Sequence, residues 1–125
     1  MKDQTTTIAE LKLKIKKFIS DRNWEQYHDP KNLSMSIAIE AAELMENFQW
    51  GDRNASVELF SNRKLRENIE DEIADIAIYL LDFCGMNNMD LTEIIERKLH
   101  KNRKKYPIRL SKGKSTKYNQ LKKKS

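Results

Sequence analysis

The chain has 125 residues, 38% of them hydrophobic and 34% charged, a balance that fits one soluble, helix-rich domain with much wetted surface and a tendency to associate. The single cysteine, Cys84, excludes an internal disulfide, and the opening MKDQTTTIAE lacks the apolar stretch of a signal peptide. No run approaches the roughly 20 residues that span a bilayer, so the expected setting is a reducing cytoplasm. The net charge of +5 hides an asymmetry: residues 1–96 hold 11 Lys/Arg against 19 Asp/Glu, net −8, whereas residues 97–125 hold 13 Lys/Arg and no acid, net +13. An acidic body with a basic end suits nucleic-acid binding, and equally a metal in the first part with phosphates at the second.

In chain order, Ile8, Leu11, Ile15, Phe18 and Ile19 recur at helical spacing, with lysines opposite, and predict a first helix from Thr7 to about Asp21. The segment Asn23 to Asn32 carries Trp24, Tyr27, His28 and Pro30 without periodicity and reads as an aromatic loop. A second helix is expected to begin near Asn32 or Ser34, either of which can cap it. It runs to about Trp50, where Gly51 and Asp52 end it and a polar connector follows. The third helix spans about Asn62 to Cys84, with Leu65, Ile69, Ile73, Ile76, Ala77, Leu80 and Cys84 as its apolar stripe and Gly85 as its stop. Asp90 and Glu93, at capping-box spacing, open a fourth helix through Leu91, Ile94, Ile95 and Leu99 that Pro107 ends. The expected organisation is an all-α domain over residues 1–110 and a basic, partly flexible tail over 111–125 whose last run, KKKS, frays.

The carboxylates carry the chemical signal. Glu40 and Glu43 lie three apart in the second helix and share one face, amid Ile37, Ala38, Ala41, Leu44, Met45 and Phe48. Glu72 and Asp75 repeat the arrangement in the third helix, and Tyr79 continues that face one turn later. Four carboxylates gathered between packed helices repel, and their desolvation drives several to take up protons unless a cation joins them. An all-oxygen donor set favours a hard divalent ion, and magnesium is commonly shared with substrate phosphates. One E-x-x-E alone is more often a pair of solvated acids; two such pairs flanked by apolar residues shift the balance toward a site.

Other chemistries are poorly served. Di-iron bundles need Glu-x-x-His on two helices, but His28 and His100 stand apart from the acidic pairs. One cysteine and two distant histidines make no zinc set, and three glycines supply no phosphate-binding loop. Trp24, His28, Trp50 and Tyr79 fall at element ends or beside the acidic face, where they can wall a slot for a flat base, although core packing or helix-end contact is the commoner fate of each. Lys98, Asn102 and Arg103 near the end of the fourth helix can donate to phosphate oxygens, or simply complement the helix dipole.

At these residues the sequence resembles the all-α NTP pyrophosphohydrolases of the MazG-like superfamily, and within it the dCTP pyrophosphatase branch. The resemblance runs from about Ile8 to Leu121. It is carried by RNWEQYHDPKNL, IEAAELMENFQW, EDEIADIAIYLLDF, KLHKNRKKYP and STKY. E-x-x-E followed some thirty residues later by E-x-x-D is weak in either half and specific when both halves stand in order with those flanks.

The resemblance implies a four-helix bundle assembled as a homodimer or a dimer of dimers, with part of each pocket drawn from a neighbour. It implies Mg2+ held by Glu40, Glu43, Glu72 and Asp75, a base pocket of Trp24, His28, Trp50 and Tyr79, and Lys98 and Asn102 near the phosphates. The implied substrate is dCTP or a modified dCTP. Ile39 and Ala42 replace glycines common in relatives, and Ile15 replaces a histidine that some carry. The expected reaction is in-line attack of water on the α-phosphorus, with Glu43, or secondarily Glu46, taking the proton. Two rivals are a basic nucleic-acid-binding protein, which leaves the acidic pairs unexplained, and a non-catalytic helical interaction module, which binds a partner tightly and releases no phosphate.

Overall fold

The computed structural model describes residues 1–51 and 60–121. The polar connector expected after the second helix lies largely outside these residues, as does the KKKS end. Among the described residues the chain is helical without strands, and it divides into two compact units, Met1–Met89 and Asp90–Ser125.

In the first unit, α1 spans Ile8–Ser20. Thr7 caps it in a full capping box: the Thr7 hydroxyl accepts from the Glu10 N–H at 3.1 Å, and the Glu10 carboxylate accepts from the Thr7 N–H at 2.6 Å. The aromatic loop contains a short 3-10 turn, Glu25–Tyr27, whose hydrogen bond from the His28 N–H to the Glu25 carbonyl at 3.1 Å fixes where His28 leaves it.

Helix α2 spans Pro30–Glu46 and begins earlier than expected. Its cap is Asp29 rather than Asn32 or Ser34: the Asp29 carboxylate accepts from the Asn32 N–H at 2.8 Å. The reason lies in Pro30. Proline excludes helix at the residue before it, and Asp29 is extended (φ −80°, ψ 164°), but proline is itself favoured in the first helical turn. The helix closes at Glu46, short of Trp50, and residues 47–50 continue as hydrogen-bonded turns.

Helix α3 spans Arg63–Met86 and is capped by Asn62, whose side chain accepts from the Leu65 N–H at 3.2 Å. Gly85 does not stop it. A Cβ there would meet nothing within 4 Å, so neither space nor backbone demands glycine, and the helix ends only at Asn87 and Asn88. Asn88 takes the left-handed conformation (φ 54°) that asparagine tolerates better than most residues.

Helices α1 and α2 both pack on α3. Among the described residues the buried apolar ones are Ile19, Leu33, Ile69, Leu81 and Cys84. Of the expected α3 stripe, Ile69 and Cys84 are buried as expected, but Leu80 and Ile73 are 38% and 51% exposed and Leu81 is buried in their place.

In the second unit, α4 spans Leu91–Lys105, with the Asp90 carboxylate accepting from the Glu93 N–H at 2.9 Å. Arg103, Lys104 and Lys105 in its last turn complement the helix dipole. The tail holds more local structure than its composition promises: a short helix α5, Ile108–Ser111, and a 3-10 turn, Tyr118–Gln120. An edge-on pair, Tyr106 and Tyr118, with ring centroids 6.3 Å apart, ties that turn back to the end of α4, and Lys105 places its ammonium 4.6 Å from the Tyr118 ring.

Candidate active site

Glu40 and Glu43 stand one turn apart on α2, and Glu72 faces them from α3. One carboxylate oxygen from each of the three lies within 4.8 Å of the others. Asp75, a turn beyond Glu72, raises the proton affinity of both Glu40 and Tyr79 by its charge. Glu43 is exposed, whereas Glu40, Glu72 and Asp75 are half-buried.

The Glu40 carboxyl is pushed up from 4.5 to about 7, first because it can hydrogen-bond Glu72, then by burial, then by the hydrogen bond and charge of Glu43 and the charge of Asp75. With both groups ionised, Glu40 Oε2 and Glu72 Oε2 are buried without a donor. Two routes relieve this. A proton can sit between the two carboxyls, or a cation can replace it and satisfy all three acids. The donors are all oxygen, which fits a hard divalent ion, and the buried, unpartnered oxygens are what such an ion would coordinate.

The site opens into a cavity of about 300 Å³ lined by Glu43, Glu46, Asn47, Asn68, Asp71 and Glu72. The extra acids there keep the mouth strongly negative, a field that favours a cation or a cation-neutralised polyphosphate over a bare anion.

The aromatic candidates take different positions. Tyr79 is half-buried above the carboxylates; burial and the charges of Glu40, Asp75 and Glu43 push its hydroxyl above the ordinary value. His28 approaches it, with ring centroids 6.4 Å apart. Trp24 is 42% exposed, edge-on to Phe18 at 5.9 Å, with the Arg22 guanidinium 3.8 Å from the Phe18 ring and 5.9 Å from the Trp24 ring. Trp50 is 91% exposed at the end of the turns that follow α2. Lys98 and Asn102 lie four apart on α4 of the second unit, Asn102 half-buried with its carbonyl accepting the Tyr106 N–H at 2.8 Å.

One residue escaped the sequence reading. Asp82 is 6% exposed, and its carboxylate lies 2.6 Å from His28 Nδ1. The available signal was an acid inside the apolar run YLLDFC, three residues after Tyr79, where an unpaired charge is costly and a partner is required.

With this geometry described, comparison with known proteins is informative. Residues 35–121 match the model of the MazG-like family. The chain is 34% identical over 116 residues to dCTP pyrophosphatase 1 of Bos taurus, an alignment covering 92% of this chain and 68% of that protein. It is 33% identical over 116 residues to dCTP pyrophosphatase 1 of Homo sapiens, with the same coverage. A crystal structure of a pyrophosphatase from Archaeoglobus fulgidus superposes with a TM-score of 0.76 at 40% identity, covering 86% of this chain and 98% of that one.

Proposed function

The chain belongs to the MazG-like family, and from that premise we propose that it hydrolyses a nucleoside triphosphate to the monophosphate and pyrophosphate, with dCTP or a close cytosine analogue as its substrate. It is an enzyme, a nucleoside triphosphate pyrophosphatase. The observation that carries the reading is the convergence of Glu40, Glu43 and Glu72 with two buried, unpartnered oxygens beside a half-buried tyrosine.

Glu40, Glu43, Glu72 and Asp75 would hold the cation, for which Mg2+ is the fitting ion. Once bound, it would neutralise the carboxylates and polarise phosphate oxygens toward attack. Glu43, the exposed member, would accept the proton of the attacking water, and Glu46 on the same cavity wall is the alternative acceptor. Tyr79, His28, Trp24 and Trp50 form the base pocket in this reading; Lys98 and Asn102, four apart on α4, are donors of the kind that bind phosphate oxygens.

Residues 1–110 act as the pyrophosphohydrolase domain and 111–125 as a basic tail. The assembly is a homo-oligomer, because Ile39, Met35, Ile73 and Leu99 are large apolar residues left 48–54% exposed on helices. Among the described residues no helix is long and apolar enough to cross a membrane, and nucleotide-pool housekeeping in the cytoplasm is the setting that suits this chemistry. The test is to incubate the pure protein with each NTP and dNTP plus Mg2+ and resolve the products. The expected result is monophosphate with pyrophosphate, fastest for dCTP; a diphosphate product, or no turnover of any nucleotide, would overturn the reading.

A further inference from the structure

Asp82 is a carboxylate enclosed by helix packing, and among the described residues its hydrogen-bond partner is the imidazole of His28, 54 residues away in sequence. Such a pair is a weak source of stability, since an apolar replacement of the same volume is often neutral or better. What the pair does fix is orientation. Tyr79 and Asp82, three apart on α3, share a face, and His28 reaches both: its Nδ1 meets the Asp82 carboxylate at 2.6 Å and its ring lies 6.4 Å from the Tyr79 ring. Nδ1 is the inner nitrogen. The His28 side chain keeps 16% of its surface open, and its Nε2 has no hydrogen-bond partner among the described residues.

We propose that Asp82 is a positioning residue: it accepts the Nδ1–H of His28 and thereby presents the bare Nε2 beside Tyr79 as an acceptor for an N–H donor on the substrate's base. The inference rests on the base-pocket reading of Tyr79 and His28 and deepens it. Stacking rings accept any base, because every base has a π-face, whereas a fixed acceptor discriminates. An exocyclic amine satisfies it; a carbonyl at the same ring position places two acceptors against each other and leaves both unpaired. A carboxylate that accepts from one imidazole nitrogen sets which tautomer is present, and so whether the other nitrogen accepts or donates.

Two measurements test this. The first is the long-range 1H–15N spectrum of His28 in the wild-type protein at pH 8, where a proton on Nδ1 and none on Nε2 is expected. A proton on Nε2, in either the opposite tautomer or the imidazolium, overturns the proposal. This spectrum needs no turnover, so it reports on the His28–Asp82 arrangement even if the assigned activity proves wrong.

The second measurement is steady-state kinetics. Asp82→Ala should raise KM for dCTP about 10-fold with kcat within about 2-fold, the scale of one lost hydrogen bond, and should leave KM for dTTP unmoved. Asp82→Asn, whose amide NH2 can donate to Nδ1 and so leave the proton on Nε2, should raise KM for dCTP at least as much as Asp82→Ala does with kcat within about 2-fold, and Asp82→Ala/His28→Ala should be no worse than His28→Ala. A folded Asp82→Ala protein with unchanged KM, equal losses for dCTP and dTTP, or additivity with His28→Ala overturns the proposal. Where Asp82→Ala does not fold, the Asp82→Asn kinetics and the wild-type spectrum decide. A wild type that turns over no nucleotide refutes the base-pocket reading itself, a result distinct from all of these.

Discussion

Replacing Glu40 by glutamine should stabilise the cation-free protein at high pH while damaging its activity. In the folded chain the Glu40 carboxyl is raised from 4.5 to about 7, first by its hydrogen bond to Glu72 and then by burial. Between those two values the native state holds a proton that the unfolded chain has released, so stability is complete below about pH 4.5 and falls as pH rises through about 7. At about 1.4 kcal/mol per pH unit the whole displacement corresponds to at most roughly 3 kcal/mol. Solvent at the open mouth screens part of it, leaving about 1–3 kcal/mol.

Glutamine does not titrate, so Glu40→Gln should match wild type at pH 4 and exceed it by that amount at pH 8, about 4–12 °C in Tm for a chain of this size. The assay is thermal or urea unfolding followed by circular dichroism in EDTA at both pH values. Excess Mg2+ should shrink or reverse the gap at pH 8, because the cation binds the wild-type native state and not the unfolded chain. A Glu40→Gln protein no more stable than wild type at pH 8 in EDTA, or a gap independent of pH, would refute the claim that these carboxyls crowd one another.

Other expected outcomes follow from the same geometry. Glu72→Gln removes one of the two buried, unpartnered oxygens and should lower turnover at least about 100-fold in saturating Mg2+, read as pyrophosphate release, while the circular dichroism spectrum is unchanged. Trp24→Ala and Trp50→Ala should each raise KM for dCTP roughly 5- to 150-fold, the range of one lost base–ring stack, and unchanged KM in both would remove them from the base pocket. Thr7→Ala breaks the capping box of α1 and should cost about 1 kcal/mol of stability in denaturant unfolding with kcat/KM unaffected. Light scattering at micromolar concentration should give a mass above that of one chain; a monomer would show that the exposed apolar helix residues do not mediate self-association.

Much of this was legible in the sequence because helical periodicity and paired acids are local signals. The spacing of Glu40 with Glu43 and of Glu72 with Asp75 places each pair on one face whatever the packing, and an apolar surround says that the face is not wholly solvated. What failed depended on neighbours. Pro30 reads as a breaker when the chain is scanned for helix interiors, yet it is a first-turn residue once Asp29 is seen as the cap. Gly85 reads as a stop, but a helix ends where its backbone finds other partners, here at Asn87 and Asn88.

The periodic stripe through Ile69 and Cys84 takes in Leu80 because the run ADIAIYLLDFC is apolar on nearly every side, and only contact with α1 and α2 selects Leu81 instead. Asp82 sits on that same buried side, and its role depends on His28, which no periodicity links to it. The Tyr106–Tyr118 pair likewise gives the basic tail a local anchor that its composition conceals.

The central claim, that the Glu40–Glu43–Glu72 cluster holds a divalent cation and directs water onto the α-phosphorus, is tested most directly by dCTP hydrolysis in 18O-labelled water, with Mg2+ and with excess EDTA. The expected result is 18O in dCMP alone, unlabelled pyrophosphate, and no turnover in EDTA. Label in pyrophosphate or orthophosphate, a dCDP product, or full activity in EDTA would contradict it.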